Sequence, residues 1–214
     1  MKPILFDTKM VRAILDGRKT QTRRIIKPQP TNPRWNNVGW LGWDDGHGYR
    51  MRPPCELGDI LWVRETWNGD WCDHYIYKAD VGNAVSAGYD KEPRWHPSIH
   101  MPREAARIFL RVNDVQVERL NEISQSDAID EGALTCDLCE TDEYKESCEK
   151  AKREGSKPPI GYSPRERFAA LWDSTIKNTE ITKYGWAANP WVWVIKFERC
   201  ERPDSITFIS TMLS

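Results

Sequence analysis

The sequence predicts an α+β fold: short strands forming a small mixed β-sheet or barrel, flanked by helices and interrupted by long insertions. Three observations point there. NPWVWVIKFE, at 189–198, alternates on a two-residue period, which suits a half-buried strand. SPRERFAALWDS, at 163–174, carries the apolar spacing and start signals of a helix. Such elements do not follow one another in the strand–helix–strand order of a parallel array. Polar stretches rich in proline, glycine and charge separate them instead.

The elements can be justified in chain order. Ile4, Leu5 and Phe6 make a first apolar run that suits a strand. Asp7 or Thr8 can cap a helix in which Met10, Val11, Ile14 and Leu15 form a stripe, and Gly17 closes it. Residues 27–56 read as an irregular excursion. GDILWVRET is a strand entered through a Gly58–Asp59 turn, and YIYKAD is a short second one. After a loop over 82–98, Pro102 opens a helical turn, and a long strand runs from about Arg107 to Val117. Ser124 and Asp127 can cap a helix that Gly132 ends; Ser163, Pro164 and Glu166 begin the most clearly marked one. In the closing strand, Trp191, Trp193, Ile195 and Phe197 share a face.

The chain's 214 residues fit a single domain with insertions at about 28–56, 82–98 and 135–160. Hydrophobic residues make up 39% and charged ones 29%, the balance of a soluble globular protein. A net charge of −1 gives bulk electrostatics no claim on nucleic acid, so any such reading needs a local patch. The apolar run in MKPILFDTKM is too short for a signal peptide, and no stretch approaches a membrane span. A cytoplasmic location is therefore expected, with the six cysteines as thiols or metal ligands. Most of the eleven tryptophans are expected in the core or in groove walls, because indole rings bury much apolar area, with a subset as stacking platforms for bases.

No phosphate loop, dinucleotide fingerprint or serine-hydrolase elbow occurs. The four histidines lack metal spacing. Cys136, Cys139 and Cys148 form a CxxC plus a third thiol, a candidate set for a structural zinc, although no second pair completes a strong signature. The Glu- and Lys-rich residues around them suit a solvated helical insertion.

GRKTQTRR, Gly17 to Arg24, carries the chemistry. If it is extended, its cations fall on both faces, so one face is covered by protein. A sheltered cation needs an anionic partner or ligand, because desolvation alone is costly. A hydroxyl beside a sheltered lysine is a nucleophile–base pair, since burial lowers a lysine's proton affinity. Glu65 and Glu131 are the candidate carboxylates, and spacing alone does not choose between them.

Taken together, MVRAILDGRKTQTRRIIKP, GDILWVRETW, VERLNEISQSDAIDEG, ERFAALWDS and WAANPWVWVIKFE resemble the ASCH domain, a PUA-like β-barrel family. More narrowly, the chain is similar to the tryptophan-rich ASCH proteins of tailed phages and prophages. The resemblance implies RNA or nucleotide binding in a cleft lined by the GRKT strip, with no required cofactor. One bacterial branch removes the acetyl group of N4-acetylcytidine with a lysine, a threonine and a glutamate. These match Lys19, Thr22 and Glu131. Arg18, Thr20, Arg23 and Arg24 would then contact the ligand. Trp62, Trp67 or Trp95 would sandwich its base, beside Arg64 and Glu65. A non-catalytic binding module, a ribonuclease and a phage interaction protein are the alternatives.

Overall fold

The computed structural model describes residues 1–31, 33–36, 39–44, 47–69, 74–81, 93–133, 146, 149–150, 153–155 and 163–203; at 35–36, 39–41, 43–44 and 47 only the backbone is described. The fold is α+β, as expected. Strands β1 (Lys2–Leu5), β6 (Ile60–Arg64), β9 (Phe109–Arg119), β10 (Trp191–Cys200) and β2 (Gln21–Ile25) form one mostly antiparallel sheet, in that order. β1 runs parallel to β6, with Lys2 opposite Leu61, and β6 antiparallel to β9, with Leu61 opposite Leu110. Closure into a barrel was the expectation. Among the described residues the sheet is open, with β1 and β2 at its ends. β1 has four residues, of which only Ile4 is buried, and its Pro3 has no N–H to donate, so this strand suits an edge.

The chain divides into two compact units. The first holds Met1–Thr20, Pro53–Val115 and Ile195–Ser214; the second holds Gln21–Arg52 and Gln116–Val194.

In the first unit, helix α1 (Thr8–Leu15) begins where the Asp7 carboxylate accepts the Met10 N–H at 2.8 Å. It buries Val11, Ala13 and Ile14, and it ends before Gly17 at φ +74, a conformation with a steric cost for any residue bearing a Cβ. Leu61 and Val63 fill one face of β6. On the other, Trp62 joins Met101, Ala105, Ala106 and Phe109 in a second apolar cluster. The larger of these, Leu61, Val63, Met101 and Phe109, each contribute about 1.5–3 kcal/mol by leaving water. The expected YIYKAD strand is shorter than predicted: β8 (Ile76–Tyr77) pairs with β7 (Trp67–Asn68), and the chain turns at once into helix α2 (Lys78–Val81).

In the second unit, helices α3 (Gln125–Asp130) and α4 (Pro164–Thr175) both start with the predicted capping boxes, Ser124 with Asp127 and Ser163 with Glu166. Phe168 and Trp172 of α4 pack with Leu120, Ile123, Ala128, Val192 and Val194. The Trp172 indole N–H donates to the Tyr184 carbonyl of helix α5 (Ile181–Tyr184) at 2.8 Å, so burying this polar ring atom leaves no donor unmet.

Two sequence readings change. The excursion at 27–56 contains an antiparallel meander of β3 (Arg34–Asn36), β4 (Gly39–Asp44) and β5 (His47–Arg50). Its glycines had read as loop, yet Gly42 is packed so closely that a Cβ there would lie 2.9 Å from the Tyr49 ring and the Met51 sulfur. In β10 both faces are buried from Val192 to Ile195, so the valines are core residues as well as Trp193, while Trp191 is only half-buried.

Candidate functional site

β2 places the second half of GRKTQTRR in the second unit. Gln21, Thr22 and Arg23 are all buried there, each about 2% exposed. Extended backbone puts Gln21 and Arg23 on one face and Thr22 and Arg24 on the other.

The Gln21–Arg23 face meets α3. Gln21 donates its amide N–H to the Asp127 carbonyl at 2.8 Å. Arg23 donates Nη1 to Glu131 Oε1 at 3.1 Å and Nη2 to Glu118 Oε2 at 3.0 Å, with Asp127 3.9 Å away. The guanidinium also lies 5.9 Å from the Phe168 ring centroid. Asp127 and Glu131 are four residues apart, which brings both acids to one side of α3 and its C-cap. Burial raises the Asp127 carboxyl's proton affinity. Hydrogen bonds from Ser124 and Gln21, with the Arg23 charge, outweigh it and hold the pKa below the ordinary value.

On the other face, the Thr22 hydroxyl oxygen accepts from Arg24 Nη1 at 2.8 Å, and Arg24 also donates to the Arg23 carbonyl. An arginine donor on that oxygen stabilises an alkoxide and leaves the hydroxyl proton to be given to a base.

The first half of the strip belongs to the first unit. The Arg18 and Lys19 amides both donate to the Ala13 carbonyl, ending α1, and the Thr20 carbonyl accepts from the Phe197 N–H. The Lys19 side chain is buried, with Nζ 5.5 Å from the Phe6 ring centroid. Arg18 forms an exposed ion pair with Asp16, and Thr20 is exposed.

The remaining predicted residues also lie in the first unit. Glu65 is buried and clamped by Arg107, whose Nε and Nη2 donate to its two oxygens at 2.9 and 3.0 Å. Arg107 also bonds Asp80 and lies 3.9 Å from the Tyr77 ring centroid. Burial pushes the Glu65 pKa above the ordinary carboxylate value, further than Arg107 pulls it down. Trp62 is a core residue, and the Arg64 guanidinium lies 5.4 Å from its ring while donating to the Ile99 carbonyl. The Trp67 ring is flanked by His96 at 5.2 Å and Tyr75 at 5.6 Å; Trp95 lies 6.0 Å from the Lys78 ammonium.

Cys136, Cys139 and Cys148 fall outside the described residues; within those, no cluster of His, Cys, Asp or Glu could hold a metal. Nor is any described helix long and apolar enough to cross a membrane. No protein-family model, curated protein or solved structure matches the chain.

Sequence reasoning missed Glu118, Asp127, Arg107 and Asp80. The signal was present for the first two: a sheltered arginine demands anions, and Glu118 and Asp127 stand in the two segments nearest Glu131 in the chain. The Arg107 clamp joins Glu65 to residues far along the chain, with no shared motif to announce it.

Proposed function

We propose that the chain is an ASCH-type, PUA-like protein that binds RNA or a modified nucleoside through GRKTQTRR and hydrolyses an exocyclic amide such as that of N4-acetylcytidine. One observation carries this reading: Lys19, Gln21, Thr22 and Arg23 are all buried, at 4% exposure or less, in a strip where an ordinary core would place apolar side chains.

In this reading the roles follow the chemical types. Lys19 is the base that takes the Thr22 proton, and Arg24 steadies the oxygen left behind. The Thr22 oxygen attacks the acetyl carbonyl. The C–N bond then breaks, the cytosine amine leaves with the proton carried by Lys19, and an acetyl ester remains on Thr22. Water attacks that ester and releases acetate. Glu131 acts through Arg23, whose guanidinium it holds at 3.1 Å, and so orients β2.

The test is conversion of N4-acetylcytidine to cytidine by the purified chain, followed by chromatography. The wild type forms cytidine, and Lys19→Ala forms none while still melting cooperatively. Absence of product at high enzyme concentration removes the hydrolase.

The Arg23–Glu131 ion pair favours a second reading, a binding module in which Glu131 is purely structural. That module binds RNA without turnover, with an affinity that falls as salt rises.

A further inference from the structure

Gln21 is a buried amide on a strand face turned toward a helix, where an apolar side chain is the ordinary choice. Its Nε2 donates to the Asp127 main-chain carbonyl at 2.8 Å and to Asp127 Oδ1 at 3.3 Å. The same carbonyl accepts the Glu131 N–H at 2.8 Å, so Gln21 grips the backbone bond that closes α3. Asp127 Oδ2 is engaged in the cap, accepting the Ser124 N–H at 3.2 Å and the Ser124 hydroxyl at 2.6 Å. The carboxylate therefore cannot shift relative to β2 without undoing the start of its own helix.

This tie and the Arg23–Glu131 pair are matched in spacing. Residues two apart on a strand are separated by about 6.7 Å, and residues four apart along a helix rise by about 6 Å. β2 and α3 accordingly lie side by side, joined at Gln21–Asp127 and at Arg23–Glu131. One tie leaves a strand free to pivot about it, whereas two fix both its register and its rotation. A slip of one residue would turn Thr22 toward α3 and Gln21 away from it. The need for such ties is local: among the described residues β2 ends the sheet, with β10 on one side, and side chains supply the support a second strand would give. As a result Thr22 faces away from α3, where Arg24 Nη1 reaches its hydroxyl oxygen at 2.8 Å.

We propose that Gln21, anchored on Asp127, is a positioning residue that holds the Thr22 hydroxyl in the one orientation Arg24 can bond. Its effect on turnover rests on the hydrolase reading above; the orientation itself does not.

The experiment reads the Thr22 side-chain rotamer by NMR, from the three-bond couplings of its methyl carbon to the backbone nitrogen and carbonyl carbon. The wild type gives the couplings of a single staggered rotamer. Gln21→Met keeps an unbranched side chain but removes the donor, and its couplings are averaged over rotamers. Asp127→Asn keeps both acceptor oxygens for Gln21 and retains the wild-type couplings. So does Ser163→Ala, which weakens the α4 cap without touching β2 and controls for a general loss of stability. In N4-acetylcytidine turnover, Gln21→Met lowers kcat about tenfold or more with KM unchanged, the mark of a misplaced reacting group. Gln21→Leu replaces it should Gln21→Met not melt cooperatively. Failure of both to fold overturns the proposal, because the amide would then hold the fold and not the hydroxyl. Wild-type couplings or full kcat in a folded Gln21 variant overturn it as well. Averaged couplings in that variant, with no cytidine formed by the wild type, remove the hydrolase and leave the positioning role standing; unchanged couplings beside wild-type turnover remove the positioning role alone.

Discussion

Arg23 shows most plainly what a buried charge demands. Its guanidinium is held by Glu131 and Glu118, with Asp127 nearby and Phe168 beneath. Arg23→Ala leaves Glu131 buried without that cation, and we expect a loss of about 3–5 kcal/mol, read as a lower urea midpoint. A change within 1 kcal/mol would mean the pair is not holding the strand. The need for such a partner was legible in the sequence, where sheltered cations in GRKTQTRR called for anions. Which acids answer was not, because Glu118 and Glu131 reach Arg23 through the ends of two different elements.

Glu65 has the opposite electrostatics. Its folded pKa is raised, so the protein holds this proton more tightly than the unfolded chain does. Its contribution is therefore fully present below the unfolded value and is lost as pH rises through the folded one. Glu65→Gln keeps an acceptor for Arg107 and removes the buried charge. The variant's stability relative to wild type should rise as pH climbs above about 4.5, measured as urea midpoints across the range. A pH-independent difference would contradict this.

At the scale of elements, start signals transferred from sequence to structure better than loop signals did. Both capping boxes, the positive-φ glycines at 17, 58 and 132 and the long strand β9 stand where local chemistry placed them, within two residues for the strand. A cap acts through its nearest four residues, so distant packing has little say in it. Ser163→Ala, which removes the acceptor for the Glu166 N–H, should cost about 1 kcal/mol in thermal or urea unfolding. No change would mean α4 is held by packing alone. The meander in 34–50 was not legible for the reverse reason. Its short strands are punctuated by glycines and asparagines that resemble a loop until close packing such as that at Gly42 is seen. Likewise, the two-residue period of β10 identified a strand but could not reveal that its second face is covered as well.

For the whole molecule, acid should unfold the protein in a definite window. Asp59, Asp127 and Glu166 all have lowered pKa values. For Asp59 and Glu166 the largest cause is a hydrogen bond, from Lys2 and from the Ser163 backbone; for Asp127 such bonds overcome burial. Their stabilisation is present above the unfolded values and is lost as pH falls through the folded ones, below about pH 4. Urea midpoints at pH 7 and pH 3 should differ less in Asp127→Asn than in wild type. Identical differences would show that Asp127 does not contribute to the loss.

The α+β class and the sheltered strip could both be read from composition and spacing. The open sheet and the division into two units could not, because both depend on pairings between strands far apart in the chain. The functional reading stands on burial of the strip and on the Arg24 bond to Thr22. Its most direct test is kcat/KM for N4-acetylcytidine in wild type, Thr22→Ser and Thr22→Val. The account predicts cytidine from the wild type, retained activity in the serine variant and none in the folded valine variant. A wild-type rate from Thr22→Val would contradict it.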